Sequence, residues 1–573
     1  MRKLKRVLSL VSATVMSGIC VLSSIGSMGN VSAATPALGL PTPTASDRQE
    51  YMQHYAGVNS SNDPEVPHTG VLGTSCDLSQ SAYFPVVKSQ SGGSCTLWST
   101  TYYQFTYEAN KLNGITTTES NTYSPVYPFS FMGSSFNWQA YNFLKEHGSV
   151  KVEDWGLNKS YDIWCNKTDA MVKALKTRIK DDYDVTVNTN QASYNLDQIK
   201  RLLYGTDGTD GKILSINTTD FYGWEYRQVK QPSRNAQEAI AVRSTSTTVK
   251  DAHAMTVVGY DDTIWCDLNG NSNRDAGEVG AFKVANSHGT DYKNSGYVWV
   301  LYDALNKNSL VSGWQDTSKT RKPIFEHMES GRNSFYYINV ENKKVEFVGQ
   351  LTLNTNNRHS LQLYAGKNNV KKSPSNYKTI FEYFNADEAA NYNGTLVFDY
   401  TDLMDSLASD ASGRYWYIKL YGTRNSGSFK ITDNFSNKIS KVLTPKNGEN
   451  VVTFTTTVGD VNYDGKIDSN DVSKLIDYNL GRIELSDLQH YLGDFDKDGV
   501  VSLSDVTALS QYIATRGNTS SNEMAKLISL NNTLRSYMVA NNYSKAEISE
   551  IDSVNKLEIT LQNRMESMSY EEK

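Results

Sequence analysis

Cysteine is scarce, five in 573 residues, which excludes a small scaffold stapled by many disulfides. Proline is scarce too, at 12, and with 38 glycines and 36 tyrosines the composition is that of a polar globular chain whose disorder is confined to joints. Neither sign of charge dominates, 56 basic side chains facing 62 acidic ones, so there is no field for nucleic acid or an anionic membrane surface. Beyond the first segment no apolar run is long enough to span a bilayer. What is present is 39% hydrophobic residues in a chain too long for a single core, which implies three or four domains.

The first residues read as an export signal, removed at residues 1–33. Met1 to Arg6 is basic, Val7 to Ile25 is mostly apolar and small, and Val31-Ser32-Ala33 gives a cleavage site before Ala34. Cys20 follows Ile19, where lipid attachment needs a small residue, so a secreted product with no membrane anchor is expected. Cleavage leaves Cys76, Cys95, Cys165 and Cys266, enough for two disulfides or for one bridge and a thiol kept for chemistry.

Residues 34–75, rich in Pro, Thr, Ser, Gly and Asn, suit a linker or a short lead-in segment. Residues 76–333 mix helix-like stretches (95–112, 137–147) with strand-like runs (212–216, 253–260, 297–301), the pattern of an α+β domain. Residues 334–458 turn to short alternating runs, beginning at Phe335–Val340, and predict an all-β sandwich. In 459–516, Gly459-Asp-Val-Asn-Tyr-Asp-Gly465 recurs as Gly493-Asp-Phe-Asp-Lys-Asp-Gly499, with Val472, Leu475 and Tyr478 matched by Val506, Leu509 and Tyr512. Residues 517–573 form a polar, helix-prone tail with a capping box at Ser544 and Glu547.

Gln90-Ser-Gly-Gly-Ser-Cys95-Thr-Leu-Trp98 runs from a glycine-rich turn into a helix. That places a thiol at a helix N-terminus, where unpaired N–H groups and the macrodipole favour thiolate and lower the pKa. Gln90 offers a side-chain amide beside the Cys95 backbone N–H, a pair of donors suited to an oxyanion. In Asp251-Ala-His253-Ala-Met-Thr-Val-Val-Gly-Tyr260 an imidazole opens a strand, able to take a thiol proton and return it to a leaving amine. With Phe84-Pro85 upstream, and with Asn286-Ser-His288-Gly289 followed by Gly296-Tyr297-Val-Trp299, these segments resemble the active-site stretches of bacterial papain-like cysteine peptidases. The resemblance implies a two-lobed α+β catalytic domain in which Cys95 is the nucleophile, His253 its base, Asn286 the group that holds the imidazole, and Gln90 an oxyanion donor. Two departures stand out. Gln90 lies five rather than six positions before Cys95, and His288 replaces the tryptophan that shields the Asn–His bond, which predicts a wetter bond.

Between His253 and Asn286, Asp267, Asn269, Asn271, Asn273, Asp275 and Glu278 carry the ligand spacing of a calcium loop, with Ser272 where glycine normally makes the sharp turn. An asparagine-rich surface hairpin is the other reading. The repeat has the same spacing twice, in Asp460, Asn462, Asp464, Lys466, Asp468 and Asp471, and in Asp494, Asp496, Asp498, Val500, Ser502 and Asp505, Lys466 and Val500 contributing backbone carbonyls. Asp in the last position, one helix after each loop and the duplication resemble a dockerin, a small all-α calcium-binding module. By that resemblance the cofactor is Ca²⁺, the partner is the cohesin domain of a cellulosome scaffoldin, and Ser469-Asn470 and Leu503-Ser504 face it.

The expectation is therefore a secreted, extracellular cysteine endopeptidase that hydrolyses protein or peptide through a thioester, tethered by a dockerin to a cell-surface cellulosome. Its sandwich either binds polysaccharide or acts as a spacer. The rivals are a papain-fold component of the same assembly with weak or no activity, and a transglutaminase-like crosslinker. Asn rather than Asp at 286 favours hydrolysis.

Overall fold

The computed structural model describes residues 40–542 apart from 59–62, 67–68, 158–163, 231–236, 246–251, 315–320, 327, 346, 369–377, 384–390, 400–413, 423–425, 434–436, 444–447, 463 and 486. The proposed signal segment and the Ser544 capping box lie outside the described residues. No described helix is long and apolar enough to cross a membrane.

Nine strands form one sheet: β1 (Ser75–Asp77), β2 (Thr177–Asn188), β3 (Leu214–Thr218), β4 (Trp224–Gln228), β5 (Ala239–Ser244), β6 (His253–Trp265), β7 (Val279–Ala285), β8 (Tyr297–Leu301) and β9 (Arg332–Asn342). Their order is β2-β9-β3-β6-β7-β8-β5-β4, with β1 on β6. With the helices of 95–175 this makes a mixed α+β unit. β6 is buried along its first nine residues, as a β-branched and aromatic strand flanked on both sides would be. β6 and β7 pair antiparallel, Thr256 opposite Ala285. His253, which opens β6, and Asn286, which follows β7, therefore arrive at the same end of the sheet.

Phe335–Val340 does not begin the sandwich. It lies in β9, which pairs with β2 over its length and touches β3, so it is an interior strand of the large sheet. Its near-continuous burial reflects cover on both faces, a long-range fact that alternation alone does not report.

The chain enters a helix at Cys95–Leu97, continues as a π-helical stretch over Trp98–Phe105 and returns to α-helix at Thr106–Leu112. Ser99 Oγ lies 2.7 Å from the Met255 carbonyl and 2.8 Å from Thr256 Oγ1, while Gln104 Nε2 donates to the Ile213 and Tyr336 carbonyls. These buried bonds bolt the Cys95 helix to β6 and β9; each would cost about 1–3 kcal/mol if left unpaired.

Residues 40–75 do not behave as a loose linker. Helix Ala45–His54 starts in a capping box between Thr44 and Asp47. Tyr51 meets Asp184 and packs edge-on against Trp138, and His54 Nε2 lies 2.7 Å from Asp182. Asp63, almost fully buried, accepts from Tyr337 and Asn339 of β9.

Eight further strands form two four-stranded antiparallel sheets: β10 (Phe347–Thr355), β11 (Gln362–Asn368), β12 (Lys378–Phe381), β13 (Tyr392–Asp399), β14 (Arg414–Gly422), β15 (Ser426–Asp433), β16 (Asn437–Leu443) and β17 (Gly448–Thr456), ordered β13-β10-β15-β16 and β12-β11-β14-β17. Leu351, Leu396, Leu363 and Phe381 from both sheets share one buried cluster with Phe131, Phe143, Trp164 and Met171 of the helical region. The β domain is thus fused to the α+β unit through a common core.

Helices Ser469–Asn479 and Leu503–Thr515 follow the two repeat loops, with Asp487–Gly493 between them. Val472, Leu475, Val506 and Leu509 are fully buried, but Tyr512 is 44% exposed. The polar tail contributes more than expected: helix Ser521–Ala540 inserts Met524, Leu527, Leu534 and Met538 into the same core. Its Glu523 accepts the Ser469 N–H, so Ser469 is buried rather than facing a partner.

Candidate active site

Cys95 heads its helix, as the glycine-rich turn requires, and all four cysteines among the described residues are free and buried. His253 Nε2 lies 2.8 Å from Asn286 Oδ1. The same oxygen accepts the Ser287 backbone N–H at 2.8 Å, which fixes the amide's orientation. An amide oxygen only accepts, so Nε2 carries the imidazole proton and Nδ1 is the basic nitrogen. Asn286 is held in turn by its N–H to the Gly296 carbonyl and by Tyr103 Oη donating to its own carbonyl. The thiol packs against the start of β6, since Cys95 shares one buried cluster with Ala252 and Ala254, the residues on either side of His253.

Burial governs the electrostatics. Loss of hydration pushes the Cys95 thiol up to about 11, against the backbone amides that favour thiolate. It pushes His253 down to about 3, with His288 acting in the same direction. The expected lowering of the thiol pKa is thus reversed, because burial favours the neutral form of both the thiol and the imidazole. The cover is local and identifiable: Leu40 donates its N–H to the Ala252 carbonyl at 2.9 Å and shares a buried cluster with Cys95, Trp138, Ala252 and Ala254.

The Asn–His bond is not wet. Phe221 packs at a tilt against the His253 ring at 4.6 Å, His288 lies at 4.7 Å, and Tyr292 packs edge-on against His288. Phe221 supplies the shielding that His288 alone would not. It follows β3 in a short turn with no spacing relation to the histidine, so only the fold reveals it.

Gln90 is drawn to this end of the sheet, its N–H reaching the Ser287 carbonyl at 2.7 Å and its Oε1 accepting from Ser287 Oγ. Its Nε2 donates to the Gly92 carbonyl at 2.9 Å, which leaves one amide hydrogen for another acceptor. Gly289 and Gly296, both at positive φ, allow this close approach, since a Cβ at either would run into Ser89 or Val87.

The three calcium-spaced loops share one hydrogen-bond pattern. The first carboxylate accepts the N–H of position six (Asp267 from Ser272, Asp460 from Gly465, Asp494 from Gly499), and the last accepts that of position nine (Glu278 from Asp275, Asp471 from Asp468, Asp505 from Ser502). Ser272 takes the left-handed conformation at φ 61° that glycine holds in the other two. In the third loop Asp494, Asp496 and Asp505 each bring a carboxylate oxygen within 4.8 Å of the others, and Asp494 Oδ1 is buried without a protein partner. Hard oxygen donors with an orphaned carboxylate oxygen fit a calcium ion. In the second loop burial, with Asp460 and Asp468 nearby, raises the Asp471 carboxyl to about 7, a crowding that a cation would relieve.

No family model matches the chain, and no curated protein does. Among solved structures it is similar to xylellain, a cysteine protease from Xylella fastidiosa, at 14% identity and a TM-score of 0.32, over 55% of this chain and 99% of that one. It is also similar to procathepsin B S9 from Trypanosoma congolense, at 14% identity and 0.31, over 53% and 100%, and to the Carica candamarcensis cysteine protease CMS1MS2 in complex with E-64, at 16% identity and 0.29, over 48% and 100%.

Proposed function

We propose that this chain is a cysteine endopeptidase acting through a thioester on Cys95. The observation that carries the reading is the His253–Asn286 hydrogen bond, with the helix-terminal Cys95 packed in one buried cluster with Ala252 and Ala254 on either side of the histidine. His253 Nδ1 removes the Sγ proton and the thiolate attacks the peptide carbonyl carbon, so a C–S bond forms and the carbonyl electron pair moves to oxygen. The Cys95 N–H and the remaining Gln90 amide hydrogen are the candidate donors to that oxyanion. Nδ1 then returns the proton to the amine as the C–N bond breaks, and water deprotonated by the same imidazole hydrolyses the thioester. Asn286 stabilises the imidazolium formed in both halves. Because burial disfavours both charges, the ion pair forms once substrate and water replace the lead-in cover.

The proposal includes export and tethering. The repeat loops, held by Asp460, Asn462, Asp464, Asp468, Asp471 and their counterparts in the second repeat, would bind calcium, which supplies positive charge that keeps the carboxylates together. Ser469 is covered but Asn470 beside it is exposed, and Leu503 and Ser504 are partly exposed next to Val500 at 62% and Tyr512 at 44% exposure, so these would form the face toward a cohesin.

The deciding experiment compares peptide hydrolysis by the wild type and Cys95→Ala, with mass-spectrometric mapping of the cysteine alkylated fastest after substrate opens the site. Hydrolysis only by the wild type is expected, and equal rates would overturn the mechanism. Cohesin capture should be lost on chelation; capture that survives would sink the tether.

A further inference from the structure

A cavity of about 410 Å³ lies where the lead-in helix, the helical region and the β domain meet. One end rests on the nucleophile's turn. Ser134 Oγ donates to the Gly93 carbonyl at 3.1 Å, and Thr96 Oγ1 donates to the Ser135 carbonyl at 2.7 Å, so the loop that floors the cavity is bonded to residues on both sides of Cys95.

The other end is supplied by the β domain, through Glu382 and Tyr383. Those residues are held in place. Phe381 packs edge-on against Phe131 at 5.2 Å, Arg178 pairs with Asp399 at 2.6 Å with both side chains 2% exposed, and Arg358 donates to the Ser130 carbonyl while lying 4.3 Å above the Trp164 ring.

The chemistry of the walls is one-sided. Trp138 and Tyr383 offer aromatic surface, Glu50 of the lead-in helix and Glu382 offer two carboxylates, and no lysine, arginine or histidine is among the described lining residues. A group with an apolar stem and a cationic end matches such a site: the stem packs on the rings, and the charge meets the carboxylates and the ring faces.

We propose that this cavity is a substrate subsite for a lysine or arginine side chain of the bound polypeptide, completed by the β domain through Glu382. The inference rests on the peptidase reading, which supplies a polypeptide to the adjacent thiol. It assigns the β domain a part in substrate selection.

The test uses the full chain and two readouts. Binding of a labelled peptide library, each position in turn carrying lysine or norleucine, is measured on Cys95→Ala, so the result does not depend on turnover. Lysine at one position should bind about tenfold tighter than norleucine, and the preference should vanish in Cys95→Ala/Glu382→Gln and invert in Cys95→Ala/Glu382→Lys, with norleucine binding unchanged. Equal binding of both peptides, or a lysine preference that survives both Glu382 changes and Glu50→Gln, overturns the subsite. Hydrolysis of the same library by the wild type tests the peptidase reading separately: a lysine preference in binding without hydrolysis sinks that reading and leaves the subsite standing.

Discussion

Asn286 Oδ1 accepts two N–H groups at 2.8 Å, one from the His253 ring and one from the Ser287 backbone. The second bond sets the direction of the first. The imidazole is thereby locked in the tautomer that leaves Nδ1 basic, and the lock depends on the end of β7 staying beside the start of β6. Asn286→Ala should lower kcat by about 100-fold with KM little changed, because a mobile ring is seldom aligned for proton transfer. Steady-state kinetics check this; an unchanged kcat would remove Asn286 from the mechanism.

The thiol is hidden by residues that lie before the catalytic unit in sequence. Leu40→Asp places a carboxylate in the buried cluster around Ala252 and should expel that segment from the cleft. Iodoacetamide should then label Cys95 at least about tenfold faster, while Cys76, Cys165 and Cys266 keep their rates. Equal labelling of Cys95 in both proteins would mean that the cover lies elsewhere.

His147 is buried at the junction with the β domain, among Phe143, Phe381 and Tyr383, with Arg178 near it and the Glu146 carboxylate at 3.6 Å. Burial, helped by Arg178, pushes its pKa down to about 3 from an ordinary 6.5. The folded value lies below the unfolded one, so between those limits the unfolded chain binds more protons and stability rises with pH, by up to about 1.4 kcal/mol per unit. Above pH 6.5 the contribution is complete. His147→Phe should flatten the slope of denaturant stability between pH 4 and 6; an unchanged slope would show that other groups set it.

The Arg178–Asp399 pair joins β2 to β13 and is closed to solvent. Asp399→Ala would strand a buried guanidinium and should destabilise the junction by about 3–5 kcal/mol. Removing both partners should cost less than removing Asp399 alone. A double-mutant cycle followed by thermal unfolding checks this, and a cost for Asp399→Ala below about 1 kcal/mol would mean that solvent reaches the site.

Some of this architecture is written locally and could be read directly. The turn before Cys95, the strand that begins at His253, the start of the Asn137–His147 helix and the carboxylate spacing of the repeat loops each depend on residues within about a dozen positions of one another. Backbone propensity, helix termini and loop closure act over that range. Even Ser272 obeyed its loop rather than its residue type, since the hydrogen bond to Asp267 holds it at positive φ.

The rest was decided by contacts between residues that lie well beyond the reach of any one helix, strand or loop, from Phe221 and His253 to Leu40 and Ala252. Leu40 against Ala252, Phe221 over His253, β9 against β2, Glu382 beside Trp138 and Glu523 on Ser469 leave no period or fixed spacing in the chain. Sequence by itself determined which groups could do the chemistry and how each is presented on its own element. Tertiary structure alone decided that the thiol is covered, that the imidazole is shielded by Phe221, and that the β domain shares a core with the α+β unit. Burial is a property of everything that packs around a residue, and no local pattern encodes it.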